Sequence, residues 1–190
     1  MRLPLPWGEG RGEGHMLLAV SLLLSTLASA HPTGFHKKLT VTLTKTKLSV
    51  LVMMDADSGD RCLLLREAVD SNRDGFITGD EARKLKERLT KMAVSPLKFA
   101  ISGAPLNVVV KESKLSLRED KRANDSPLSI AVLIEIPLSP TPHEGSSLEV
   151  TDTAPDQSAI ALQVFQAKST AELELPSGVT TPIRIGQLGD

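Results

Sequence analysis

KKLTVTLTKTKLSVLVMMDA, Lys37–Ala56, is the stretch that decides the fold class. Leu39, Val41 and Leu43 alternate with Thr40, Thr42 and Thr44, and the alternation resumes at Leu48, Val50, Val52 and Met54 after a polar Lys45, Thr46 and Lys47. A period of two puts one set of side chains on one face of an extended chain, so each half reads as a half-buried strand. Two such runs joined by a short polar link predict a hairpin.

Downstream the period changes. In GDRCLLLREAV, Gly59–Val69, the residues Cys62, Leu65, Ala68 and Val69 share one face of a short helix. In GDEARKLKERLTKMA, Gly79–Ala93, a second helical face holds Ala82, Leu85, Leu89 and Met92, with Arg83, Lys84, Lys86, Glu87 and Arg88 outward, and Pro96 stops it. Strand-like runs then return: LKFAISG, APLNVVVKES, KLSLRED, LSIAVLIEIPL, LEVTDT, AIALQVFQAK, AELELPSG and PIRIGQL. LSIAVLIEIPL, Leu128–Leu138, is apolar nearly throughout and reads as buried on both faces. KESKLSLREDKR is mixed in charge and reads as a solvated edge or turn. KRANDSP, Lys121–Pro127, reads as a charged turn. Strands on both sides of one helical pair predict an α+β domain over 31–190, mostly an antiparallel sheet or sandwich with one helix–loop–helix inserted at 61–92.

Upstream, MLLAVSLLLSTLASA, Met16–Ala30, is an apolar run of signal-peptide length that ends in small residues, with Ala28 and Ala30 in the A-x-A positions. Residues 1–30 are therefore expected to be a signal peptide with an upstream extension, removed to leave His31 first. The protein is expected outside the cytoplasm, periplasmic or secreted, with no transmembrane segment in the mature chain. A net charge of −1 supplies no basic footprint for nucleic acid. Aromatic content of 3%, with no Tyr and its one Trp at Trp7, leaves only Phe35, Phe76, Phe99 and Phe165, expected in the core, to build a stacking platform. The single Cys62 forms no internal disulfide and reads as a small apolar residue. No G-x-S-x-G elbow, P-loop or G-x-G-x-x-G is present, and no residue stands out as catalytic.

Between the two helices lies DSNRDGFITGDE, Asp70–Glu81. Asp70, Asn72 and Asp74 place oxygens at the first, third and fifth positions, Gly75 permits a sharp turn at the sixth, Phe76 offers its peptide carbonyl, Thr78 acts directly or through water, and Glu81 closes with two carboxylate oxygens. All donors are oxygen, which disfavours zinc and copper. A long loop with a bidentate Glu suits the relaxed coordination of calcium better than the tight octahedron of magnesium. The crowding of Asp70, Asp74, Asp80 and Glu81, with Arg73 as the local cation, is relieved by a bound ion.

These residues match D-x-[DN]-x-[DN]-G-x5-E throughout, and over 61–92 the chain resembles the EF-hand family. The resemblance implies a calcium ion held by Asp70, Asn72, Asp74, Phe76, Thr78 and Glu81. Sensor proteins of that family carry loops in pairs, joined by a short β-contact at the eighth position, which is Ile77 here. One loop is present in this chain, and Arg66 stands where the incoming helix usually carries a large apolar residue. Over about residues 30–110 the order of features also resembles the exported N-terminal domain of nickel/cobalt-transporter-like bacterial proteins. That implies a membrane transporter or another protein as candidate partner.

A second reading rests on His31. A new N-terminus there would pair an α-amine with an imidazole and, with His36 or His143, could clamp a transition metal. The expectation that best accounts for the residues is an exported, non-enzymatic calcium-binding protein whose ion is structural, with a dissociation constant toward the ~10⁻⁴ to 10⁻³ M of extracellular modules.

Overall fold

The Lys37–Ala56 alternation is realised as two antiparallel strands, β1 (Phe35–Leu43) and β2 (Lys47–Ala56), with Leu39 opposite Val52 and Val41 opposite Val50. Leu39, Val41, Leu48, Val50 and Val52 are fully buried, while the threonines of β1 and Leu51 and Met53 of β2 line the other face. In this computed structural model the described residues are 35–117, 121–154, 159–167 and 169–189, all within one compact unit, Thr33–Asp190. The expected signal segment and His31 lie outside them.

After β2 come helices α1 (Asp60–Glu67) and α2 (Gly79–Val94), then β3 (Leu97–Ile101), β4 (Ala104–Pro105), β5 (Val110–Ser116), β6 (Leu128–Pro137), β7 (Ser147–Asp152), β8 (Ile160–Gln166), β9 (Ser169–Leu175) and β10 (Thr181–Arg184). They form a six-stranded sheet, β5-β6-β2-β1-β8-β9, and a four-stranded sheet, β10-β7-β3-β4. The protein is mostly β with two helices, an α+β arrangement. Every neighbouring pair is antiparallel except β1 and β8, which run parallel with Leu39 opposite Leu162. A parallel pair needs a long crossover, and here the whole chain from β2 through β7 supplies it.

One core joins both sheets and the helices: Val50 and Val52 of β2, Val132 and Ile134 of β6, Leu148 and Val150 of β7, and Leu85 and Leu89 of α2 are all buried in it. Helix α2 lies across β6, β2 and β5. A buried ion pair ties the sheets together. Lys37 Nζ on β1 donates to Asp152 Oδ2 on β7 at 2.6 Å, with both side chains essentially without solvent contact.

Four expectations are corrected. On β6 only Leu128, Ile130, Val132, Ile134 and Ile136 are buried; Ala131 and Leu133 face the partly exposed side of the sheet, beside Met53 and Leu51. In α1 the inward positions are Cys62, Leu65 and Arg66, and Ala68 is exposed, because a short helix turns its guanidinium toward waiting carbonyl acceptors. Phe35 and Phe99 are in the core, but Phe76 is half exposed and Phe165 only partly buried. APLNVVVKES divides into the two-residue β4 and a separate edge strand β5. That edge strand carries a bulge between Val110 and Glu112, a device that blunts pairing with other chains.

No helix among the described residues is long and apolar enough to cross a membrane.

Candidate metal-binding loop

Asp70–Glu81 lies between the end of α1 and the first turn of α2. Arg66 O accepts the N–H groups of Val69 and Asp70, so α1 runs out at the loop's first residue. Within the loop the short acidic side chains fold back onto nearby backbone donors, as Asp and Asn do in turns. Asp70 Oδ2 accepts Gly75 N–H at 3.1 Å, Asn72 Oδ1 accepts Asp74 N–H at 3.1 Å, and Asp74 Oδ1 accepts Phe76 N–H at 2.8 Å. Asn72 Nδ2 donates to Asp74 Oδ2 at 2.9 Å. Gly75 sits at φ 79°, a left-handed backbone that costs an L side chain energy, and this explains the glycine at the sixth position.

Thr78 caps α2 in extended conformation, and Glu81 is buried one turn on. Glu81 Oε2 accepts Thr78 N–H at 3.4 Å, the glutamate half of a capping box. Glu81 Oε1 accepts both Ser71 N–H at 2.9 Å and the Ser71 hydroxyl at 3.1 Å. Burial pushes the carboxyl pKa up, but the backbone N–H groups of Ser71 and Thr78, the Ser71 hydroxyl and the Asn72 N–H outweigh it and hold it below the ordinary glutamate range. Glu81 therefore spans the loop from its far end to its second residue. Ser71 belongs to this arrangement although no ligand pattern singles it out.

Asp70 differs from the rest. Its Oδ2 is bonded to Gly75, whereas its Oδ1 is buried and has no hydrogen-bond partner among the described residues. Among the described residues no three His, Cys, Asp or Glu side chains are gathered closely enough to hold a metal by themselves. Any cation here would draw on neutral oxygens as well, from Asn72, Thr78 and the Phe76 peptide.

The loop is anchored from outside by Lys121–Pro127. Ile77, 1% exposed, donates its N–H to Lys121 O at 2.6 Å, Ala123 N–H returns to Gly75 O at 2.7 Å, and Phe76 and Arg122 form an isolated antiparallel bridge. The same segment receives α1. Gly59 N–H donates to Asp125 O, and the buried Arg66 guanidinium donates to the carbonyls of Asn124, Ser126 and Pro127. The composition of KRANDSP marks a charged turn, but nothing local to it tells that it folds against a loop some 45 residues earlier.

Among the described residues the histidines are not assembled into a site. His36 Nε2 sits 3.1 Å from Asp57 Oδ2 on the exposed end of β1, and His143 lies in the Pro-rich loop between β6 and β7. Cys62 is buried with its thiol donating to Asp57 O, and burial pushes its pKa up despite the nearby Arg66, which suits a packing residue and not a nucleophile. The sequence matches no protein-family model, and no curated protein matches it.

Proposed function

We propose that this chain is an exported calcium-binding protein in which a single EF-hand loop, Asp70–Glu81, holds Ca²⁺ in a mainly structural role. The observation that carries the reading is Asp70 Oδ1, a buried carboxylate oxygen that no donor among the described residues meets. Such an oxygen costs free energy when left unanswered, and a hard cation answers it. The donor set supports the choice of ion. Asp70, Asn72, Asp74, Thr78, Glu81 and the Phe76 carbonyl offer only oxygen, which suits calcium. The N–H and hydroxyl donors around Glu81 favour its charged form, which suits a closing ligand.

A structural role follows from the length of α1. Eight residues are too few for a helix that is stable alone, so an ion at its end would help fasten it to the sheet. Export rests on the Met16–Ala30 run, and a membrane transporter or another protein as partner rests on the feature order over residues 30–110.

The test is calorimetric titration of the purified protein with calcium and magnesium, paired with thermal melting in calcium and in chelator. At free calcium tenfold above the dissociation constant, the native state should gain about 1.4 kcal/mol. Glu81→Gln should lose that gain. No heat at millimolar calcium, with equal melting midpoints, refutes the reading.

A further inference from the structure

We propose that the β5–β6 turn, Lys121–Pro127, together with Arg66, positions the calcium ligands and does for this one loop what a second loop does in paired modules. The inference rests on the calcium reading above and deepens it. In the bridge between Phe76 and Arg122, the bonds are made by the flanking residues: Ile77 N–H to Lys121 O and Ala123 N–H to Gly75 O. In an antiparallel pair of this kind the central residue turns its own N–H and C=O to the opposite edge of the chain. Phe76 N–H does point into the loop, where it donates to Asp74 Oδ1 at 2.8 Å. Its carbonyl, the seventh-position ligand, is held to the same edge. The turn thus aims a peptide oxygen that has no side-chain torsion of its own to adjust.

The second attachment acts at the other end of the loop. Arg66 is 0% exposed, and its guanidinium spans the carbonyls of Asn124, Ser126 and Pro127. Its own carbonyl accepts the Asp70 N–H at 3.0 Å, which sets where the first ligand leaves the helix. The first and seventh ligands are therefore registered against one external segment. Opening that contact and releasing the ion are linked equilibria, so calcium stabilises the turn and the turn raises calcium affinity.

The test uses the full chain and two measurements. Amide hydrogen exchange at Ile77 and Ala123 is compared with and without calcium. At free calcium tenfold above the dissociation constant, exchange at both amides should slow about tenfold, the limit set by linkage. Calorimetry on Ala123→Pro, which lacks the N–H given to Gly75, should show calcium binding weakened at least fivefold. Calcium heat with unchanged exchange at Ile77 and Ala123 overturns the positioning role and leaves the calcium reading standing. Absence of calcium heat overturns both. Should Ala123→Pro fail to fold, exchange in the unsubstituted protein decides alone.

Discussion

Asp152 and Asp70 each withdraw a carboxylate oxygen from water, and the protein answers them differently. Asp152, between the two sheets, is met by Lys37 Nζ at 2.6 Å on Oδ2 and by Ala154 N–H at 2.8 Å on Oδ1. Both its oxygens are satisfied by the chain itself. Asp70, at the head of the loop, has Gly75 N–H on one oxygen and, among the described residues, no hydrogen-bond partner on the other. A core carboxylate is matched by a cation the sequence provides from 115 residues away, whereas on the calcium proposal the loop carboxylate would be matched by a cation from solution. The contrast separates a closed structural device from an open one.

The largest effect should come from breaking the closed pair. Asp152→Ala strands the Lys37 ammonium in the core and should destabilise the protein by about 3–5 kcal/mol in urea unfolding. Replacing both partners, Lys37→Met with Asp152→Leu, should recover most of that loss, because the desolvation of two charges disappears with the pair. A double variant as unstable as Asp152→Ala would mean that Lys37 and Asp152 are needed for something besides each other.

Gly75→Ala probes the open device through its backbone alone. A Cβ built there meets no atom within 4 Å, so the cost comes from φ 79°. It should be about 1–2 kcal/mol, with calcium affinity lowered as well. A stability loss well above that range would point to contacts beyond the backbone strain.

Acid titration sharpens the comparison further. The folded Glu81 pKa is depressed by its N–H donors, so its contribution is fully present above the unfolded value and is lost as pH falls through the folded one. Calcium-free protein should weaken over that acid window, and Glu81→Gln should flatten the change. An identical pH profile in the variant would show that other carboxylates carry the acid response. The smallest effect concerns Cys62. Its raised pKa and burial should keep it unmodified by alkylating reagents at pH 8 until the protein is unfolded. Rapid labelling of native protein would show that α1 opens locally.

Much of this was written in local sequence. The β1–β2 pair, the apolar face of α2, the exposed edge at β5 and the order of oxygen donors in Asp70–Glu81 all follow from periods of two or 3.6 and from turn chemistry, which act over a few residues. The glycine at position 75, which permits a sharp turn, takes up φ 79°.

Tertiary structure alone decided the rest. Arg66 looked like a poor fit on an apolar helix face until Asn124, Ser126 and Pro127 turned their carbonyls toward it. Ala131 and Leu133 of β6 lie on a partly exposed face beside Met53 and Leu51, a matter of neighbours and not of pattern. The parallel pairing of β1 with β8, the Lys37–Asp152 pair and the docking of KRANDSP against Gly75–Ile77 join residues far apart in the chain. Periodicity tells which face of an element is apolar but not what will be packed on it. That choice is made when the chain closes on itself and each buried polar group must find a partner.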